Sequence, residues 1–547
     1  MAAEAAAGER HRGHAIDAKA GSQPGAKIRG RNHALSERAL DLVVLLGAVL
    51  VICAPLFPPF GLTPNRDSGV YLYAAQRMLQ GDALYRDVWD HKPPLVHLLD
   101  LAAVSSGAPL WSVWLLGVLC VGAAAWLLWS KMRRTFGRLP AAIGVGAGAI
   151  LLAASFKGNL PEEYGLLLQV AAILGFARLA AGRSTHPWIS GAWIGALGGL
   201  ALILKPTLIG LWLAMMITGL VMSGTTLSRR QRLQAVLAAV LAGAVVIGAA
   251  VAVLIGAGIW SAFWSAVIEY NAVYASGGDR WARWSASLGR LGPSGILALG
   301  GVAVLYILGV SAWFRRSKRD LYAPEGLALA LLAVIDLPIE ALLSAGSGRL
   351  YLQYLTPWFA AVALLTASVV TSWMPDAWSA RARRFVPAVL GLALVAVVAL
   401  TAMKIRSRLA EAEQVWLAVE AIGQLSEADS TVLVWGAEPQ VLALSARRAP
   451  SRYAYLYPLL TVGYGNADRA AQFADDLQAC PPALVIDTSA TNAVIPPIDG
   501  NRRLAWTSTD AQYGLPAGFQ PVFEFLESNY VRIDSVGAWE MYVPVVR

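Results

Sequence analysis

Long apolar runs separated by short basic clusters make up most of the chain. A membrane-spanning helix needs about 20 consecutive apolar residues. On that criterion the sequence predicts eleven transmembrane helices, at residues 39–58, 110–130, 139–157, 164–181, 187–204, 207–224, 234–257, 290–313, 324–344, 353–373 and 385–403. The pattern is that of a polytopic α-helical membrane protein.

Two apolar stretches in the first long connection are too short to span a membrane. They cover residues 68–80 and 93–105, inside a loop at 59–109 that also carries many charged residues. Charged side chains are costly in hydrocarbon and mark functional positions in membrane proteins. We therefore interpret the two stretches as helices that lie along the membrane surface, and the loop as a candidate site.

Basic residues give the orientation of the chain. Residues 1–38 contain seven Lys or Arg residues and no periodic hydrophobicity, which predicts a disordered cytosolic tail. Lys and Arg are in excess on the cytoplasmic side of membrane proteins. The basic clusters after the second, sixth, eighth and tenth predicted helices all fall on that side if the chain crosses eleven times. The loop 59–109 and the C-terminal tail are then extracytoplasmic.

The tail at 404–547 has a different pattern from the transmembrane domain at 39–403. Short strand-like runs at 431–436 and 483–487 alternate with helical stretches such as 467–479, which predicts a soluble α/β domain. We favour a helix and sheet platform packed on the membrane helices. The alternative is a ligand crevice at the end of the strand Val434-Trp435-Gly436.

Composition narrows the class of protein further. Hydrophobic residues make up 57% of the chain and charged residues only 14%, which excludes an ordinary soluble protein. The formal net charge of +9 resides in short clusters that orient helices, so we expect membrane lipids and no nucleic acid as partners. The three cysteines indicate no disulfide framework or thiol metal site. No P-loop or HExxH motif occurs, which disfavours ATP-driven transport.

The loop after the first predicted helix carries two candidate groups. Asp67 follows Pro64-Asn65-Arg66 where the chain leaves that helix, and a carboxylate there can act as general base on a hydroxyl acceptor. The alternative, favoured by spacing alone, is an N-cap of the surface helix. Lys92 precedes Pro93-Pro94, a helix start that suits an anion or phosphate. A lysine that contacts lipid headgroups is the equal alternative.

Two further candidates lie in other predicted outer segments. Glu162 and Glu163 follow Pro161 at the outer start of a helix, where the helix dipole stabilises acids, so an ordinary first-turn role is the simplest interpretation. Arg349 lies in a Gly-rich turn before a late helix. Its planar guanidinium suits phosphate oxygens, and an interfacial membrane anchor is the alternative.

Acidic and aromatic residues elsewhere are weaker candidates. Asp336 and Glu340 lie one turn apart within a predicted span, which makes them functional candidates unless they face water at its outer end. Aromatic residues crowd the outer segment 260–290, as an interfacial belt or as a groove for sugar rings or a prenyl chain. The aromatic residues are Trp260, Trp264, Tyr270, Tyr274, Trp281 and Trp284.

Together these pieces resemble a known superfamily. An aspartate follows the first helix, Asp90-His91-Lys92-Pro93-Pro94 lies in the first outer loop, and Glu162-Glu163-Tyr164 follows the third helix. A Gly348-Arg349-Leu350-Tyr351 turn precedes a late helix, and an extracytoplasmic domain ends the chain. This combination resembles the GT-C membrane glycosyltransferases, in particular the protein-mannosyltransferase-like (glycosyltransferase family 39 type) and aminoarabinose-transferase-like enzymes of the bacterial plasma membrane.

The resemblance implies an activity and residue roles. Such enzymes transfer a monosaccharide from a polyprenyl-phosphate donor, with inversion, to a hydroxyl of a glycan, lipid or protein acceptor outside the cytoplasm. The resemblance implies no cofactor or metal for this protein. Asp67 would be the base, Lys92 and Arg349 would bind the lipid phosphate, and Glu162 or Glu163 would be the second acid. Further residues of the same motifs without an assigned role are Asp90, His91, Lys205 and Tyr351.

The sequence departs from the family pattern at three positions. Ser68 stands where the mannosyltransferases have a glutamate, His91 where aminoarabinose-type enzymes often have a glutamate, and Gln353 where many relatives have a histidine. The sugar and the acceptor therefore stay open. A lipid-linked sugar transporter without chemistry is the alternative function, and a non-catalytic scaffold is a third.

Overall fold

The chain is a bundle of long helices followed by a small sheet. The computed structural model describes residues 39–222, 227–276, 279–317, 324–346, 348–349, 351–374 and 383–545. The predicted tail at 1–38 and part of the predicted cytoplasmic basic clusters lie outside the described residues, and so do Ser347 and Leu350 of the turn before Tyr351.

The helices follow the apolar runs closely. Their bounds are α1 Ala39–Ile52, α2 Arg66–Leu79, α3 Pro94–Ser105, α4 Pro109–Phe136, α5 Arg138–Ser155, α6 Pro161–Ala180, α7 Pro187–Leu204, α8 Gly210–Val221, α9 Arg229–Gly256, α10 Trp260–Phe263, α11 Tyr270–Ser276, α12 Arg280–Ser317, α13 Pro324–Ala345, α14 Phe359–Trp373, α15 Val386–Leu425, α16 Pro439–Ser445, α17 Tyr457–Leu460, α18 Ala467–Ala479, α19 Gly500–Leu504 and α20 Gln520–Asn529. A π-helical turn, Trp264–Glu269, joins α10 to α11.

Nine helical segments of the described chain are long and apolar enough to cross a membrane, and each coincides with a predicted span. The other two predicted spans are shorter as helices. The first ends at Ile52 because Pro55, Pro58 and Pro59 cannot continue the hydrogen-bond ladder. The other is the segment Pro206–Val221, and the last residues of its predicted range lie outside the described part. The polytopic helical fold is therefore confirmed.

Small residues set the packing of the bundle. The positions that a Cβ would take at Gly191 and Gly195 of α7 lie 2.1 Å from Ala235 O and 1.8 Å from Ala239 O of α9. Side chains at these two positions would push the helices apart. The four-residue spacing of these glycines is typical of close helix pairs in membranes.

The C-terminal region contains the predicted strands and a hairpin. The strands are β1 Val432–Trp435, β2 Leu484–Asp487, β3 Tyr530–Val536 and β4 Trp539–Pro544, in the order β1-β2-β4-β3. β1 and β2 are parallel, with Val432 opposite Leu484, and the other pairs are antiparallel. β1, β2 and α18 confirm the α/β prediction for this region. The last long helix, α15, runs without a break past residue 404, where the domain boundary was predicted.

The helix α2 is covered by the C-terminal region, although we predicted a helix exposed at the membrane surface. Residues 68–75 are all buried. The Cβ position of Gly69 lies 2.5 Å from the backbone nitrogen of Gln440 in α16. Gln76 Nε2 donates to Ala443 O at 2.8 Å, and the hydroxyl of Tyr73 accepts from the amide of Ala449 at 2.9 Å. The sequence pattern showed the amphipathic face of α2 but not its partner.

Gly69→Ala is expected to loosen this contact. Its new methyl group would meet backbone atoms that cannot rotate away, so we expect a loss of about 1–3 kcal/mol, typical of overpacking, and a lower thermal midpoint in detergent. Gly248→Ala on α9 is the matched control, because a Cβ there meets no atom within 4 Å. That control should keep or raise the midpoint, since alanine favours helix. Equal midpoints for the two variants would contradict the tight α2 and α16 contact.

Candidate functional site

A cavity of about 1510 Å³ lies between the ends of the helices and the C-terminal region. Its walls come from the first long loop, the starts of α2 and α6, the turn before α14, and the segments after β1 and around residue 510. Eight of the nine predicted site residues line it: Asp67, Asp90, His91, Lys92, Glu162, Lys205, Arg349 and Tyr351. The sequence motifs therefore converge on one space.

Asp67 lies in the first turn of α2 and is half-buried. The N-cap of this helix is Asn65, whose side chain accepts from the amide of Ser68 at 3.1 Å, so the interpretation of Asp67 as the cap is wrong. Within the described part of the chain, Asp67 makes no hydrogen bond or ion pair. Its carboxylate is stabilised by the helix start and can accept a proton from a bound hydroxyl.

The two adjacent glutamates have different environments. Glu163 accepts the amides of Lys157 and Gly158 at 2.8 Å each and that of Leu160 at 3.2 Å, so it holds the turn before α6. It is not among the residues that line the cavity. Glu162 lines the cavity and is 3% exposed, and Lys205 Nζ donates to it. Glu162 is thus the member of the pair that can reach a ligand.

The motif around Lys92 forms a chain of polar contacts. Asp90 is 1% exposed, and its Oδ2 lies 3.0 Å from His97 Nε2 while its Oδ1 lies 3.3 Å from His91 Nδ1. Burial raises the pKa of Asp90, but the two imidazoles more than offset this effect and hold it well below its usual range. Lys92 Nζ lies 2.6 Å from His91 Nε2. Asp90 is therefore a fixed anion, and His91 lies between it and the ammonium of Lys92.

Arg349 is bound mainly by residues of the C-terminal region. Its guanidinium donates to Asp510 Oδ2 and to Gln512 Oε1 at 2.6 Å each, and to the hydroxyl of Tyr351 at 2.9 Å. The ring of Tyr513 is centred 5.4 Å from its Cζ. Arg349 is 7% exposed, so it is not a membrane anchor, and an incoming anion would compete with Asp510 for it.

Only some of the weaker candidates line the cavity. Glu340 lines the cavity, whereas Asp336, one turn earlier, is not part of its wall. Tyr270 and Tyr274 line the cavity, whereas the side chains of Trp264 and Trp281 are exposed. The aromatic segment thus contributes both to a groove and to an outer surface.

Several wall residues were not found from the sequence. Arg66 pairs with Glu438, which follows the end of β1 and is 5% exposed on its side chain. Tyr455 donates to Asp90 Oδ1 at 3.1 Å, and Asp510 and Gln512 hold Arg349. Apart from Arg66, which directly precedes Asp67, none of them stands in a local motif. The C-terminal region therefore contributes to the cavity wall, and the segment after β1 is part of that wall.

The polar groups of the cavity suit two ligands side by side, an anion and a molecule with a hydroxyl group. Its wall carries several cations, among them Lys92, Lys205 and Arg349, together with Asp67, which has no side-chain partner within the described residues. No group of three or more His, Cys, Asp or Glu side chains in the described ranges is arranged to hold a metal ion.

The fold is similar to that of solved structures of ArnT. It aligns with the crystal structure of ArnT from Cupriavidus metallidurans bound to undecaprenyl phosphate, with a TM-score of 0.57 and 15% identity over 92% of this chain and 98% of that chain. ArnT in the apo state aligns with the same TM-score and 13% identity over 94% and 98% of the two chains. No protein-family model and no curated protein matches the chain. The fold expected from the motifs is confirmed.

Proposed function

We propose that this protein is an integral membrane glycosyltransferase that moves a monosaccharide from a polyprenyl-phosphate donor to a hydroxyl acceptor, with inversion. The observation that supports it most is the carboxylate of Asp67, which is unpaired within the described residues and lies in one cavity with Lys92 and Arg349. The structural neighbour ArnT binds undecaprenyl phosphate, which is the product that such a donor leaves.

In the proposed reaction, Asp67 takes the proton of the acceptor hydroxyl as its oxygen attacks the anomeric carbon of the donor. The bond from that carbon to the phosphate oxygen breaks, and the electron pair leaves with the polyprenyl phosphate. Lys92 and Arg349 stabilise the negative charge that develops on the phosphate. A single displacement inverts the anomeric centre. Because the lipid phosphate is already a good leaving group, the proposal includes no cofactor or metal.

The proposal also covers location and partners. Residues 39–403 would form the catalytic membrane domain of a bacterial plasma membrane protein, with the N-terminus in the cytoplasm. The cavity and residues 404–547 would lie outside. The partners are the polyprenyl-phospho-sugar, membrane lipids, and a glycan, lipid or protein acceptor.

The test is bond cleavage by the purified protein. Protein in liposomes is given radiolabelled undecaprenyl-phospho-monosaccharide and candidate acceptors, and free undecaprenyl phosphate is measured. We expect release of the lipid phosphate that increases with protein and with acceptor. Movement of intact donor across the bilayer without cleavage would instead show a transporter and overturn the proposal.

Asp510→Asn is expected to strengthen the binding of undecaprenyl phosphate about tenfold. The substitution keeps an acceptor for Arg349 but removes the negative charge that competes with phosphate, and charge-assisted hydrogen bonds are worth about 1.5–3 kcal/mol. Binding is measured by titration of the lipid in detergent.

The matched control for this prediction is Asp468→Asn, at an exposed position of α18 outside the cavity wall. Its affinity should equal that of the wild type. Weaker binding by Asp510→Asn would show that Asp510 supports the lipid site rather than competing for it.

A further inference from the structure

Lys92 differs from Lys205 and Arg349, two other cations of the cavity wall, in what holds it. Lys205 pairs with the carboxylate of Glu162, and Arg349 pairs with that of Asp510. Lys92 has no carboxylate partner within the described residues, and its Nζ contacts the imidazole of His91 at 2.6 Å. A carboxylate partner offsets the charge of a cation, whereas a neutral imidazole leaves it free to act on a ligand.

The chemistry of the two groups fixes the tautomer of His91. A lysine ammonium has three donors and no acceptor, so His91 Nε2 must offer a lone pair. The single ring proton is then on Nδ1. That atom lies 3.3 Å from Asp90 Oδ1 and 3.3 Å from the hydroxyl oxygen of Tyr455. Tyr455 gives its own proton to Asp90, so its oxygen can accept in turn.

The imidazole is held rigidly. Asn271 Nδ2 donates to the backbone oxygen of His91 at 2.8 Å, and the ring of Tyr270 is centred 5.2 Å from the imidazole. Asp90 beneath it is fixed by Tyr455 and faces His97 at 3.0 Å. Burial in the wall and the charge of Lys92 lower the pKa of His91, which agrees with a neutral ring.

We propose that His91 and Asp90 are positioning residues for Lys92: Asp90 fixes the proton on His91 Nδ1, and His91 Nε2 accepts one N–H of Lys92 and aims the remaining two at the leaving phosphate. This inference rests on the proposed function and extends it to a histidine where the resembled enzymes often have glutamate. A long lysine side chain has many rotamers. A hydrogen-bond acceptor in a fixed position restricts them before the polyprenyl-phospho-sugar binds. The full charge is then in place where negative charge develops.

The first test compares turnover of His91→Phe, which keeps a ring but removes Nε2, with that of His91→Gln, which keeps an acceptor oxygen. We expect kcat to fall about 10- to 30-fold in the first variant, with a smaller change in KM, and to recover largely in the second. Asp90→Asn should lose as much as His91→Phe, because an amide donor at position 90 moves the ring proton to Nε2, facing Lys92. His186→Phe, at an exposed position outside the cavity wall, is the matched control with unchanged kcat.

The second test separates positioning from a structural role. In a Lys92→Met background, His91→Phe should cause no further loss, because the group that it positions is absent. Losses that multiply, or a wild-type kcat in His91→Phe, would overturn the proposal. The affinity for undecaprenyl phosphate is measured on the wild type, His91→Phe, Lys92→Met and the double variant. We expect His91→Phe to weaken binding about 3- to 10-fold only when Lys92 is present. If the wild type cleaves no donor, the proposed function fails, and this binding cycle alone decides the inference.

Discussion

Asp67→Asn is expected to lower the rate of sugar transfer about 10³-fold, because general-base catalysis contributes about 10²- to 10⁴-fold. The amide keeps the shape of the side chain but cannot take the acceptor proton. The carboxylate makes no hydrogen bond or ion pair within the described part of the chain, so its replacement should leave the fold intact. Binding of undecaprenyl phosphate should also persist, since Lys92 and Arg349 remain. Transfer rate and lipid affinity are measured on the same preparation.

Two further variants serve as a control and as a test of the alternative base. Asp475→Asn, at an exposed position of α18, controls for the loss of one negative charge and should transfer at the wild-type rate. Glu162→Gln tests the other acid of the cavity, which is neutralised by Lys205 and should cost less than Asp67→Asn. Normal turnover by Asp67→Asn together with loss in Glu162→Gln would assign the base to Glu162.

The helices and their order could be predicted from the sequence because each depends on local information. A run of about 20 apolar residues has one stable arrangement in a bilayer, and prolines mark many starts, as in α4, α6 and α7. The alternating pattern of the C-terminal region likewise predicted β1, β2 and α18 close to their observed bounds. Apolar runs, prolines and alternating patterns can all be recognised within short segments of the sequence.

The pairing of the site residues could not be predicted because it depends on tertiary packing. Asp510 lies 161 positions after Arg349, and no pattern near either residue indicates the other. Glu162 and Glu163 are adjacent and identical in type, yet one faces the cavity and the other binds three backbone amides, since successive residues of a helix point in different directions. The resemblance supplied Glu162 and Glu163 as candidates, and only the packing of the helices shows which of the two lines the cavity.

Lys92→Met is expected to lower kcat about 10²-fold while leaving the thermal midpoint close to that of the wild type. Loss of one group that stabilises developing charge costs about 10²- to 10³-fold. The fold should tolerate the change because the partner of Lys92 is the neutral imidazole of His91, which water in the cavity can satisfy. Both quantities are measured in detergent, with Lys92→Arg as a variant that keeps the charge and should retain more activity.

Lys205→Met is the contrasting control, because it removes a cation from the same cavity with a different cost. Its partner Glu162 is 3% exposed and would be left as an uncompensated buried charge. Breaking a buried pair in this way costs about 3–5 kcal/mol, so the midpoint should fall together with activity. If Lys92→Met lowered the midpoint as much as Lys205→Met, Lys92 would be part of the structural network. If it kept the wild-type kcat, the lipid phosphate would be stabilised by other cations of the cavity, such as Arg349 and Lys205.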